Sequence, residues 1–120
     1  MDGEISVAEL SALIESGDDV EVVDIRPPET FSRGHIPGSR NIPFAELPNR
    51  VEELNGADRV VTVCPHGKAS VQAARLVGSY EGTDGTVESL AAGIDGWREA
   101  DEPIESDGAA SEGPDPDAPF

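Results

Sequence analysis

Val60-Val61-Thr62-Val63-Cys64-Pro65-His66-Gly67-Lys68-Ala69-Ser70 is the stretch that decides the fold. Its β-branched opening run is short, as expected of a strand buried on both faces. From Ala69 to Tyr80 the spacing turns helical, with Val71, Ala74, Leu76 and Val77 on the apolar face. Pro65 and Gly67 mark a tight turn between the two. The stretch reads as strand, loop and helix, and it holds the chain's only cysteine and only lysine.

At such a junction the loop amides and the first unpaired N–H groups of the helix converge on the Cys64 sulfur, so an anion there is stabilised by aligned dipoles. The thiolate is the nucleophilic form of cysteine. A backbone curled round a large sulfur atom calls for a residue that tolerates positive φ, and Gly67 supplies it. This reading requires a sulfur that a reagent can reach, with neighbouring N–H groups aimed at it.

Outward from the loop, Ser6-Val7-Ala8-Glu9 reads as a capping box for a helix carrying Leu10, Leu13 and Ile14 and closed by Gly17. Val20 to Ile25 is a strand that ends in the Pro-rich turn Arg26-Pro27-Pro28-Glu29, before a short helical segment around Phe31. Gly34 to Pro43 is largely irregular, with a short strand at Arg40-Asn41-Ile42. Leu47, Val51 and Leu54 space a further helix, which tolerates Pro48 only in its first turn. Thr86 to Leu90 supplies another strand, and a last short helix holds Trp97.

Strands alternating with helices imply an α/β fold, a central parallel sheet of about five strands with helices on both faces. Ligand sites in such sheets lie beyond the carboxyl ends of the strands. Cys64 stands at one such end and Asp24 near another, so one crevice could hold both. Residues 1–104 read as a single domain. Residues 105–120, rich in Ser, Gly, Ala, Pro and acid, read as a disordered tail.

The formal charge is −17, from 25 acids against 8 bases, and eight of the acids fall in residues 99–120, where there is no base. The domain itself is therefore also strongly acidic. That composition resembles cytosolic proteins of extreme halophiles, whose self-repulsion is screened at molar salt, where the Debye length is about 3 Å. It argues against nucleic acid as a partner. No segment is long and apolar enough to span a membrane, and Met1-Asp2-Gly3-Glu4 lacks the basic start of a signal peptide, so the expectation is a cytoplasmic monomer without membrane contact. One cysteine excludes an internal disulfide, and chemistry at Cys64 must finish on another molecule.

Three segments give the chain a resemblance to a family over about residues 4–104. They are Asp24-Ile25-Arg26 with Glu29, Phe31 and Gly34-His35-Ile36-Pro37-Gly38-Ser39-Arg40-Asn41-Ile42-Pro43; Cys64 to Ser70; and Leu90-Ala91-Ala92-Gly93-Ile94-Asp95-Gly96-Trp97 with Pro103-Ile104. In these it resembles a single-domain rhodanese, a thiosulfate sulfurtransferase module with a rhodanese-like three-layer fold. The resemblance implies a ping-pong reaction without metal or cofactor. Cys64 would take a sulfane sulfur from a small donor such as thiosulfate, become a persulfide, and pass the sulfur to a thiol or cyanide acceptor. The alternative is a sulfur-relay carrier or binding module serving protein partners in tRNA thiolation or cofactor biosynthesis, with little activity on small donors.

Pro65 has no N–H, so His66, Gly67, Lys68, Ala69 and Ser70 are the residues left to hold the sulfur and its substrate. Many family members place Arg near the position of Ala69, and paired glycines where this chain has Ala92-Gly93. Lys68 either replaces that arginine in attracting an anionic donor or points into solvent. Fold relatives that clamp phosphate use a loop one residue longer that ends in Arg; here Val63 precedes the cysteine and Ser70 closes the loop, which argues against phosphatase activity.

His66 reads as a rim residue or as a general acid–base group. Ser70 begins the helix, touches substrate, or does both. Asp24 and Arg26 could support the loop, although an ion pair of Arg26 with Glu29 explains Arg26 as simply. His35 reads as a hydrogen-bonded structural residue, and Trp97 as a core anchor. Two histidines and one thiol do not make a zinc site.

Overall fold

The computed structural model describes residues 2–17, 19–80 and 85–106. Its strands are β1 (Asp2–Ile5), β2 (Glu21–Asp24), β3 (Arg40–Asn41), β4 (Arg59–Val63) and β5 (Thr86–Leu90), and its helices are α1 (Val7–Glu15), α2 (Pro28–Arg33), α3 (Leu47–Arg50), α4 (Ala69–Ser79) and α5 (Gly93–Glu99). The five strands form one parallel sheet in the order β1-β5-β4-β2-β3.

β4 is the middle strand, and its alternation divides the core. Val60 and Cys64 pack on one face with Leu47, Val51 and Leu54 from the α3 region and Ala73, Ala74 and Val77 from α4. Val61 and Val63 pack on the other with Leu10 of α1 and Ile94 and Trp97 of α5. A strand covered on both sides has no polar face to show, which is why Val60 to Val63 is β-branched throughout, with the buried Thr62 hydroxyl satisfied by Ser70 O. The layers are helix, sheet and helix, as the sequence implies.

Local signals place the elements. Ser6 caps α1 as a reciprocal box: Glu9 N–H donates to Ser6 Oγ at 3.1 Å, and Ser6 N–H donates to Glu9 Oε1 at 3.0 Å. Along α4 the buried positions are Ser70, Ala73, Ala74 and Val77, whereas the expected Val71 and Leu76 are only half-buried. The helix is rolled so that the Ser70 hydroxyl turns inward, toward Cys64.

Two segments differ from expectation. β1 was not anticipated, because Asp2-Gly3-Glu4 has no apolar pattern; it is an edge strand whose backbone pairs with β5 and whose last residue, Ile5, is buried in the core. The expected helix through Leu47, Val51 and Leu54 is three short pieces: 3-10 turns at Phe44–Glu46 and Val51–Leu54 flank α3, with Pro48 in its first turn. Its apolar residues are nevertheless buried as their spacing suggests.

The chain closes on itself near α2. Glu105 and His35 exchange backbone hydrogen bonds of 2.8 Å in each direction, so pairing continues one residue beyond Ile104, where the tail was expected to begin. Residues 107–120, the rest of that tail, lie outside the described residues. No helix among the described residues is long and apolar enough to cross a membrane.

Candidate active site

Cys64 is the first residue after β4, at the carboxyl end of the central strand. Gly67 stands at φ +85°, so the loop doubles back over the sulfur. Gly67 N–H donates to Cys64 Sγ at 3.0 Å and Ser70 N–H, in the first turn of α4, donates at 3.3 Å. The Ser70 hydroxyl lies 3.3 Å from the same sulfur, accepting from a thiol or donating to a thiolate. Burial pushes the Cys64 thiol up. The Ser70 hydroxyl and the amides of Ser70, His66 and Gly67 pull harder the other way, and the balance falls below the ordinary thiol value of 9.0.

The closing segment braces the loop from below. Ile94 N–H donates to Cys64 O at 2.9 Å and Asp95 N–H to Pro65 O at 3.1 Å, so the first free amides of α5 are satisfied by the loop's carbonyls. Gly93 stands at φ +68°, and a Cβ there would collide with the Pro65 carbonyl. Ala92 has φ −87°, ordinary for any L-residue, so replacing the first of the family's paired glycines leaves the support intact.

The other expected residues fall into two groups. Lys68 is exposed at the N-cap of α4, and its ammonium makes no ion pair among the described residues; Ala69 is half-buried beside it. His66 is on the rim, with Nδ1 3.0 Å from Asp95 Oδ2 and both side chains largely exposed. These residues share the loop with Cys64.

Asp24 and Arg26 do not join them by side-chain contact. Arg26 is paired with Asp24 rather than with Glu29: Nη2 is 2.7 Å from Asp24 Oδ2, Nε is 2.9 Å from Oδ1, and Nη2 also donates to Gly34 O at 2.7 Å. Asp24 is registered beside Val63, so the pair lies next to the site, but its hydrogen bonds pin the turn after β2. His35 is buried and stacked on Phe31, with ring centroids 3.8 Å apart and Nδ1 2.8 Å from Phe31 O.

One expectation needs correction. Cys64 is 2% exposed, so its sulfur lies on the floor of the loop and not on an open surface. The amides are aimed at it as required. A recess of about 330 Å³ lies elsewhere, beside Glu9, Arg59 and Glu88, near the opposite end of β4. Sequence reasoning also missed Ser89, whose hydroxyl is 2.6 Å from that of Ser70. A small hydroxyl residue near the carboxyl end of the strand beside β4, between Glu88 and Leu90, was the available signal.

The rhodanese-like domain family model matches residues 6–100. A helix-turn-helix transcriptional regulator of Mycobacterium tuberculosis is 40% identical over 101 residues, 84% of this chain and 44% of that protein. A Bacillus subtilis protein described as a candidate sulfur carrier is 35% identical over 74 residues, 62% of this chain and 40% of that protein. The chain thus spans less than half the length of these two curated relatives. The GlpE thiosulfate sulfurtransferase of Pseudoalteromonas translucida is 32% identical over 96 residues, 80% of this chain and 89% of that enzyme. Among solved structures, a rhodanese-related protein of Thermoplasma volcanium superposes with a TM-score of 0.73 at 29% identity, over 84% of this chain and 95% of that one. The family match spans the capped first helix, the cysteine loop and the α5 segment beneath it, and on that ground the chain belongs to the rhodanese-like domain family.

Proposed function

We propose that the protein is a sulfurtransferase that carries a sulfane sulfur as a persulfide on Cys64. The observation that supports this most is the convergence of the Gly67 and Ser70 amides and the Ser70 hydroxyl on one sulfur, in a chain similar over most of its length to GlpE thiosulfate sulfurtransferases. Donors fixed before reaction stabilise an anion without reorganising.

With thiosulfate the Cys64 thiolate attacks the outer sulfur. A new S–S bond forms to Cys64, the bond to the sulfonate sulfur breaks, and sulfite leaves with its electron pair. An acceptor nucleophile, cyanide or a thiolate, then attacks the terminal sulfur of the persulfide, and the Cys64 thiolate departs. A neutral sulfur atom passes from donor to enzyme to acceptor, each partner keeps its charge, and no external oxidant or reductant is consumed. The depth of Cys64 suits a donor that presents a terminal sulfur, and Lys68 at the rim attracts an anionic one.

A second reading, a relay carrier for protein partners, draws on the similarity to the candidate sulfur carrier of Bacillus subtilis. The same loop serves both. Incubation with thiosulfate without reductant makes the protein one sulfur atom heavier by intact mass, and Cys64→Ser abolishes the gain. A mass unchanged by thiosulfate but raised by a cysteine desulfurase would favour the relay, and a wild-type mass unchanged by both would sink the persulfide mechanism.

A further inference from the structure

Ser89 lies on β5, the neighbour of β4, and is 1% exposed. Its hydroxyl oxygen is 2.6 Å from Ser70 Oγ, and Ser70 Oγ is 3.3 Å from Cys64 Sγ. The three atoms form a buried row with two links. Thr62, also on this face, directs its hydroxyl to Ser70 O at 2.7 Å and Glu88 O at 3.3 Å, which fixes the start of α4 and leaves the serine pair to itself. Among the described residues neither serine hydroxyl has another partner.

Counting hydrogens along the row gives a definite answer. With Cys64 as a thiol, three hydrogens compete for two links, and one, on Ser89, Ser70 or the sulfur, is left without an acceptor in a row whose residues are all buried. With Cys64 as a thiolate, two hydrogens fill two links: Ser89 O–H points to Ser70 Oγ, and Ser70 O–H points to the sulfur. An unsatisfied buried donor is costly, and hydrogen bonds in a row polarise one another. We propose that Ser89 is a positioning residue for Cys64, whose hydroxyl turns Ser70 O–H onto the sulfur and leaves the row fully satisfied only in the thiolate state.

Other charged groups near the loop are His66 and Lys68 within it, Asp95 on α5, and the Asp24–Arg26 pair after β2. None hydrogen-bonds to the sulfur through its side chain. All are common to wild type and the Ser89 variants, so their fields cancel in the comparison.

The test is a titration of the Cys64 thiolate by its ultraviolet absorbance, which needs no sulfur donor and stands independently of the proposed sulfur transfer. Ser89→Ala is expected to raise the apparent thiol pKa by roughly half a unit, about a threefold loss of thiolate at a fixed pH below it. In a Ser70→Ala background the same substitution should shift nothing, because the link is gone. Ser89→Thr and Ser89→Val fill nearly the same volume, and Thr should titrate like wild type while Val follows Ala. Coincident Thr and Val curves, or an Ala shift that persists without Ser70, would overturn the proposal.

Discussion

Gly67 sits so close over Ala91 that a Cβ on it would collide with the Ala91 carbonyl, and its φ of +85° is one that L-residues rarely adopt. Both constraints come from the same fact: the loop must fold back on the closing segment to present its amide to sulfur. Gly67→Ala should therefore cost more than the roughly 1–2 kcal/mol of the left-handed conformation alone. Thermal unfolding reads the loss. The thiolate population at neutral pH should fall with it, and a variant of unchanged melting temperature and reactivity would show that the turn is not needed.

The lowered thiol pKa of Cys64 makes a signed prediction about stability. A group whose folded pKa lies below its unfolded value adds stability as pH rises through the folded pKa, reaching its full contribution above the unfolded value near 9.0. The melting-temperature advantage of wild type over Cys64→Ala should accordingly grow from acid pH toward about 9 and then level off. A difference that is flat, or that shrinks with rising pH, would contradict it.

Lys68 has no ion-pair partner among the described residues and stands at the rim of the loop. As a surface cation it attracts an anionic donor weakly, by about 0.3–1 kcal/mol, a factor of about two to five. Lys68→Ala should lower kcat/KM for thiosulfate by that factor and leave a neutral sulfane donor unaffected. Molar salt should erase the difference. Equal losses with both donors would discard the role.

The buried Arg26–Asp24 pair predicts a loss of stability and not of chemistry. Arg26→Ala strands the Asp24 carboxylate and removes a donor from Gly34 O, and breaking such a pair costs about 3–5 kcal/mol. The folded fraction of the variant should still form the persulfide. Stable, folded Arg26→Ala that cannot be loaded would place Arg26 in the reaction.

A formal charge of −17 on 120 residues predicts a domain that tightens with salt. Raising potassium chloride from dilute buffer to the molar range should raise the melting temperature, as the Debye length falls from about 30 Å to about 3 Å. A level melting temperature across that range would speak against adaptation to high salt.

Much of this protein was determined by its sequence alone. The unbroken Val60–Val63 run required a central strand, the Ser6–Glu9 box required a helix start, and Gly67 after Cys64 required a turn that aims amides at sulfur, because periodicity, capping and φ are local properties. Only the tertiary structure decided what depends on elements far apart in the chain. It made Asp2–Ile5 an edge strand, gave Arg26 to Asp24 instead of Glu29, covered Cys64 almost completely, and set Ser89 behind Ser70. The reason is physical: backbone pairing at a sheet edge and hydrogen bonds between buried side chains leave no periodic mark, and they exist only once packing has excluded water.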